Sequence, residues 1–224
     1  QKVERHISII QSEVKQANSI IDEILTYSRS KELKPEVLKL NHWIEDMLSI
    51  YPFPAHITIE KNLDARDPVV FMDPEEMKQA IRNLMGNGIE VMPQQGTVKV
   101  GTQIVDKSWV RMDVGDTGPG IPQDVLEKIF TPFYTTKARG TGLGLAVVKK
   151  VVDRHGGRVE VATEVGKGTM FSLFLPLHEP GKAPSTGAAA QASRPAPPAT
   201  APPAPAARTE PPQTVRSHAR PPGA

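Results

Sequence analysis

The chain has 224 residues, 38% apolar and 23% charged, with 27 Lys and Arg against 25 Asp and Glu. A net charge of +2 leaves no electrostatic footprint for nucleic acid or an acidic surface. The complete lack of cysteine excludes disulfides and thiolate metal sites, and it is compatible with a reducing, cytoplasmic setting.

Residues 1–30 contain no Gly or Pro. Apolar side chains recur at Val3, Ile7, Ile10, Val14, Ala17, Ile21 and Ile24, alternately four and three apart. That is an a/d heptad seam, which predicts a helix roughly 40 Å long packed against a partner helix. The seam needs a second copy or further chain to cover it, so a homodimer through this helix is expected. The sequence opens on Gln1 rather than Met, which reads as one piece of a longer protein. No signal-peptide pattern is present. The longest apolar run, Leu143 to Val152, falls short of the ~18 residues of a membrane span and is broken by Lys149 and Lys150.

A connector at residues 31–35 leads to a short strand, Val37 to Leu40, and a helix capped by Asn41 that Pro52 and Pro54 end. Ile57 to Leu63 alternates as a strand. Asp73-Pro74-Glu75-Glu76 is a helix start, with Asp as cap, Pro in the first turn and Glu76 at the capping-box position. That helix should reach about Val91. Strands follow at Thr97 to Ile104 and Trp109 to Val114, turning at Asp106-Lys107. A short helix is expected at Gln123 to Ile129 and a longer one at Leu143 to Arg154. Arg158 to Thr163 and Thr169 to Leu175 form a closing hairpin around Gly166-Lys167-Gly168. Strands that follow one another directly favour an α+β class, a two-layer sandwich with helices on one face of a mixed sheet. More than half of the 22 prolines fall after residue 178. Residues 179–224 are therefore expected to be a disordered Pro/Ala-rich tail. The expected domains are 1–30, 31–178 and 179–224.

Three elements carry chemistry. The helix from Asp73 places Asn83 and Asn87 on one face, flanked by Gly86 and Gly88. Asparagine and glycine both weaken a helix interior, glycine by roughly 1 kcal/mol against alanine, so this stripe reads as shaped for a ligand. Asp116-Thr117-Gly118-Pro119-Gly120 follows a strand, and a carboxylate there can accept from an exocyclic amino group such as that of adenine. Lys137 and Arg139 precede Gly140-Thr141-Gly142-Leu143-Gly144, which opens into a helix. Free backbone amides at a helix N-terminus make an anion site. The pattern is neither a Walker A loop nor a Rossmann turn.

Taken together, these elements resemble the Bergerat-fold ATPases, and among them the sensor histidine kinases of two-component systems. Asn83-Leu84-Met85-Gly86-Asn87 looks like the N box, and Asp116 to Gly120 like the G1 box. Phe130-Thr131-Pro132-Phe133-Tyr134-Thr135-Thr136-Lys137 looks like the F box, and resembles the nitrogen-regulation type. Gly140 to Gly144 looks like the G2 box. His155-Gly156-Gly157 and Gly166 to Thr169 also match the family's pattern, so the likeness runs from residue 1 to about 176. It implies ATP and Mg²⁺ as ligands, with Asn87 on the metal and Asp116 on the adenine amino group. The implied nucleotide contacts are Asn83, Asn87, Asp116, Gly118, Gly120, Phe130, Thr136, Lys137, Arg139, Gly140, Thr141, Gly142, Leu143 and Gly144. Asn83 and Lys137 would lie nearest the transfer chemistry.

The resemblance separates kinase from hydrolase at Asn83. In the gyrase, mismatch-repair and chaperone relatives this position holds a glutamate that activates water, and asparagine has no useful basicity. Transfer of the γ-phosphate to a protein histidine, for relay to a response regulator receiver domain, is thus the implied activity. Relatives in the kinase class often carry a cation three residues after Asn87, where this chain has Glu90, so the phosphate charge falls to Lys137 and Arg139. The acceptor of such a kinase is a histidine followed by an acid and then a proline. His6 is followed by Ile7-Ser8-Ile9-Ile10, and His42, His56, His155, His178 and His218 lack that context too. The expected state is a catalytic portion that cannot phosphorylate itself as given. A nucleotide-binding regulatory module and a slow ATPase are the alternatives.

Overall fold

The computed structural model describes residues 32–137 and 140–178, together with Glu4, His6, Ile7, Ile10, Gln11, Val14, Ile21, Ile24 and Leu25. The chain divides into a unit Gln1–Ser193 and a unit Arg194–Ala224; the second, with the rest of the 179–224 tail, lies outside the described residues. The described positions of the first segment are helical. Among the described residues of the heptad seam, Ile7, Ile10, Val14, Ile21 and Ile24 all face solvent, between 43% and 61% exposed, so these five are not buried against the chain.

The elements that follow are β1 (Glu36–Lys39), α1 (Leu40–Ser49), β2 (Ile57–Asn62), β3 (Val69–Met72), α2 (Pro74–Glu90), β4 (Gly96–Val105), β5 (Trp109–Asp116), α3 (Gln123–Leu126), α4 (Gly144–Arg154), β6 (Arg158–Glu164) and β7 (Gly168–Pro176). Five strands form one mixed sheet in the order β2-β4-β5-β7-β6, and β1 pairs with β3 in a two-stranded sheet. Only the β2–β4 pairing in the larger sheet is parallel. This is the expected helix-on-sheet α+β arrangement.

Alternation along the strands fixes which face is covered. Val98 and Val100 of β4, Val110, Met112 and Val114 of β5, and Phe171, Leu173 and Leu175 of β7 enter one core. Met77, Ala80, Ile81, Leu84 and Met85 of α2 recur three and four apart and close that core from the helical side. Val147, Val148, Val151 and Val152 of α4 join them. Valine loses side-chain freedom in a helix. The helical period nevertheless places all four valines inward, and their burial outweighs a propensity difference of a few tenths of a kcal/mol each.

Four local expectations change. The strand Val69–Met72 is absent from the sequence reading, because four apolar residues in a row carry no alternation; pairing with β1 is what makes them a strand. Asn41 does not cap α1, whose cap is Lys39 with no side-chain bond. Its Nδ2 instead donates to the Asp64 carbonyl at 2.7 Å, and its Oδ1 accepts from Thr102 Oγ1 at 2.7 Å. α3 stops at Leu126 rather than reaching Ile129.

The start of α2 is the fourth. Asp73 caps as expected, its Oδ1 accepting from Glu75 N at 3.0 Å and Glu76 N at 3.1 Å, and its Oδ2 from Lys34 N at 2.9 Å. Glu76, however, does not reach back to close a capping box and pairs with Arg154 of α4. The Asp73 N–H is taken by His155, whose Nε2 accepts it at 2.9 Å while Nδ1 faces the Val151 carbonyl at 2.7 Å. Only the neutral Nδ1–H tautomer satisfies both partners. His155 is 7% exposed and does more than end its helix, because it joins the last turn of α4 to the first turn of α2.

Burial lowers the His155 pKa below the usual 6.5, against the Val151 carbonyl and the nearby Glu76 and Asp73, which favour protonation. Burial pushes the Asp73 carboxyl up, yet its three backbone N–H donors prevail and hold it below the usual value. An unfolded chain binds a proton at His155 near pH 6.5, whereas the folded chain resists it, so stability is complete above that pH and declines as pH falls. Asp73 keeps its own contribution until the pH drops below the carboxylate range. Urea unfolding midpoints should therefore fall between about pH 7.5 and 5.5, and His155→Gln should flatten that dependence whatever its absolute stability.

Candidate functional site

α2 passes over the end of β5 at Gly88. A Cβ on Gly88 would stand 2.9 Å from the Asp116 Cβ, a distance real side chains do not reach, so glycine is what lets the helix approach. From Gly88 back along α2, Asn87 and Asn83 lie on successive turns of the same face. Asn83 Nδ2 donates to the Gly144 carbonyl at 3.1 Å, tying α2 to the first residue of α4. Asp116, at the end of β5, accepts from the backbone N–H of Gly118 at 2.9 Å and from that of Thr169. Burial raises its pKa, and the two N–H donors oppose the rise. A carboxylate has about four acceptor positions, so capacity remains for a further donor.

These residues border a cleft of ≈ 550 Å³. Ile121, Val125, Ile129 and Phe171 form an apolar wall, whereas Asn83, Asn87, Lys137 and the Gly140–Gly144 turn form a polar one. Gly120 has φ +73°, and a Cβ there would lie 2.3 Å from the Glu164 carbonyl oxygen. Gly142 has φ +70°, and its Cβ would fall 2.5 Å from the Phe133 carbonyl carbon. Phe133 N donates to the Gly142 carbonyl at 3.1 Å, so the two ends of this segment are held together by backbone. α4 starts at Gly144 after Leu143, whose side chain makes no cap, and Thr141 Oγ1 accepts from Leu143 N at 3.3 Å; Gly144 itself borders the cleft, so the positive end of the helix lies at its edge. The arrangement can accept a flat group with an exocyclic donor beside Asp116 and an anion beside the start of α4.

Most of the residues singled out in the sequence converge here. Asn83, Asn87, Asp116, Gly120, Thr136, Lys137, Gly140, Thr141, Gly142 and Gly144 all line the cleft. Three of the others do not. Leu143 is fully buried, Gly118 supports Asp116 through its N–H, and Phe130 packs on the core and borders a separate shallow groove with Pro132 and Lys149. Arg139 lies outside the described residues. Lys137, expected to stand ready for phosphate, donates to Asn87 Oδ1 at 3.1 Å and pairs with Glu90.

Sequence reasoning missed the apolar wall, Arg82, Tyr134 and Thr169 as cleft residues. Ile121, Val125 and Ile129 are spaced four apart, which reads as an ordinary helix core face. Thr169 holds Asp116 through its backbone, for which its side chain gives no signal. Arg82 precedes Asn83 and is a charged neighbour of the ligand stripe, a signal that was available. Gly86 also lines the cleft, yet a Cβ there would meet nothing within 4 Å. Gly86→Ala should therefore raise stability by roughly 1 kcal/mol, the ordinary helix-propensity gain. Gly88→Ala should lower it by about 1–3 kcal/mol through the clash with Asp116. Chemical denaturation of the two variants checks the contrast.

Residues 72–179 match the family of histidine kinase-, DNA gyrase B-, and HSP90-like ATPases, whose domain implies ATP binding. Sensor histidine kinase ZraS of Escherichia coli strain K12 is 36% identical over 179 residues, covering 79% of this chain and 38% of the relative. The chain spans less than half the length of the curated relatives it matches. Among solved structures, the catalytic domain of histidine kinase ThkA is 32% identical with a TM-score of 0.58, covering 64% of this chain and 95% of that one. ThkA in complex with response regulator protein TrrA matches at 30% identity and a TM-score of 0.66, over 79% of this chain and 52% of that one. Among the described residues no helix is long and apolar enough to cross a membrane. The Asp116 pocket, the paired asparagines of α2 and the glycine-rich start of α4 thus fall within a recognised domain, and the chain belongs to the histidine kinases as an ATP-binding catalytic domain of their Bergerat fold.

Proposed function

We propose that the cleft binds ATP with Mg²⁺ and presents the γ-phosphate for transfer to a histidine on a dimerisation helix, for relay to a response regulator receiver domain. The observation that carries this reading is a chain of close approaches along one cleft: Asp116 lies against Gly88 of α2, Asn87 is the next residue of that helix, and Gly144 at the start of α4 lies beside Asn87 and Asn83. That order matches adenine, metal and phosphates. Asp116 accepts the adenine amino group while the Gly118 and Thr169 amides hold its carboxylate in place. Ile121, Val125, Ile129 and Phe171 enclose the ring and keep water out.

Asn87 fits magnesium, because its Oδ1 already faces a cationic group, the Lys137 ammonium. Among the described residues no group of three or more His, Cys, Asp or Glu is placed to hold a metal. The ion would therefore be completed by phosphate oxygens and water, as magnesium prefers, and when bound it neutralises charge developing on the phosphates. Lys137 and the amides of α4 stabilise the same charge. Asn83 offers no base to activate water, which favours transfer to a side chain over hydrolysis. The exposed seam of Ile7, Ile10, Val14, Ile21 and Ile24 is the surface through which two copies pair. The response-regulator partner is supported by the complex of ThkA with TrrA.

Calorimetry with ATP, ADP and GTP in the presence of Mg²⁺ tests the site. ATP and ADP should bind, and GTP should bind at least tenfold more weakly, because it presents a carbonyl oxygen to the Asp116 carboxylate. Asp116→Asn should erase most of that discrimination, and Asn87→Asp should change the metal dependence while leaving the base preference. Equal affinity for ATP and GTP in the unaltered protein would sink the assignment of Asp116.

A further inference from the structure

The contact between Lys137 and α2 carries a consequence for how the cleft loads. Lys137 Nζ lies 3.1 Å from Asn87 Oδ1 and forms an ion pair with Glu90 Oε2. Asn87 and Glu90 are three residues apart on α2, so both oxygens face the same ammonium. A lysine ammonium has three donors and no acceptor, and here two of them go to oxygens beside the phosphate wall. The ammonium and a divalent cation cannot share Asn87 Oδ1, because like charges at that separation repel strongly in a partly enclosed cleft.

We propose that Glu90 is a positioning residue: it parks Lys137 on the metal-binding oxygen of Asn87, and Mg²⁺ arriving with nucleotide displaces the ammonium toward the phosphates. The inference rests on the ATP reading of the cleft. The ion pair is weak enough to yield, since Lys137 is 30% and Glu90 63% exposed, and exposed pairs are readily exchanged. Lys137 is also joined to the turn behind it. Its N–H donates to Thr135 Oγ1 at 3.1 Å, and its carbonyl accepts from Gly140 N at 3.2 Å. Parking of Lys137 also accounts for an acidic side chain at position 90 on the rim of an anion site, where a carboxylate would otherwise only repel phosphate.

The test is a double-mutant cycle on nucleotide affinity, with the unaltered protein, Glu90→Gln, Lys137→Met and the double variant titrated with ATP in Mg²⁺ and in EDTA. Glu90→Gln should tighten Mg²⁺·ATP binding about two- to five-fold by releasing Lys137, and should have no effect in the Lys137→Met background. In protein labelled with nitrogen-15 at lysine, the Lys137 ammonium signal should move on adding Mg²⁺·ATP, and should already be displaced in Glu90→Gln. Weaker binding by Glu90→Gln would make Glu90 a metal ligand and overturn the proposal. Equal tightening in both backgrounds would reduce Glu90 to simple repulsion of phosphate and also overturn it. Failure of the unaltered protein to bind any adenine nucleotide would remove the ATP reading itself, whereas binding with zero coupling removes only the role of Glu90.

Discussion

The close approach of Gly88 to Asp116 is what lets α2 lie over the end of β5, and the polar side of the cleft follows from it. Because a Cβ at Gly88 would come within 2.9 Å of the Asp116 side chain, α2 can lie on the end of β5 only as it does. Its register then places Asn87 and Asn83 in sequence away from the carboxylate. Asn83 in turn holds the carbonyl of Gly144, fixing where α4 begins. At the far end of α2 the same helix is clamped again, by the bond from the Asp73 N–H to His155 in the last turn of α4. The two helices that border the site are thus joined near both ends, and the segment between β5 and α4 is free to be irregular. Positive φ at Gly120, Phe133 and Gly142 falls in that segment.

Two charges in the cleft, those of Asp116 and Lys137, are compensated before any ligand is considered. Asp116 is buried far enough for its pKa to rise, and two backbone amides offset part of that penalty. Lys137 is neutralised by Glu90 and shares the oxygen of Asn87. Each of these groups can exchange its present partner for one of the same charge type, which lowers the net electrostatic work of admitting a polyanion with a divalent ion. A cleft with bare unpaired charges would attract such a ligand more strongly, yet the folded domain would bear the desolvation of each charge at all times.

Much of the site was legible because its chemistry conflicts with local propensity. Two asparagines and two glycines inside one helix, and glycines crowded before another, are poor choices for stability and so stand out against the pattern. Heptad spacing, the Asp73 cap and the alternation of β4, β5 and β7 were equally readable, since each depends on residues a few positions apart. What failed to show in the sequence depends on distant partners. Val69–Met72 became a strand only through β1, Asn41 left the helix cap for Asp64 and Thr102, and Glu76 left its capping box for Arg154.

The sequence by itself therefore determined which residues form the cleft's polar wall, the family to which the chain belongs, and the helix-on-sheet class. Those follow from residue type and short-range spacing, which the chain carries in any conformation. Tertiary structure alone decided that His155 is a neutral buried acceptor, that Ile121, Val125, Ile129 and Phe171 form the apolar wall, and that Lys137 rests on Asn87 and Glu90. Each of these requires segments tens of residues apart to meet at hydrogen-bond or van der Waals distance. Such meetings are set by the packing of α2 and α4 on one sheet, and no local pattern encodes them.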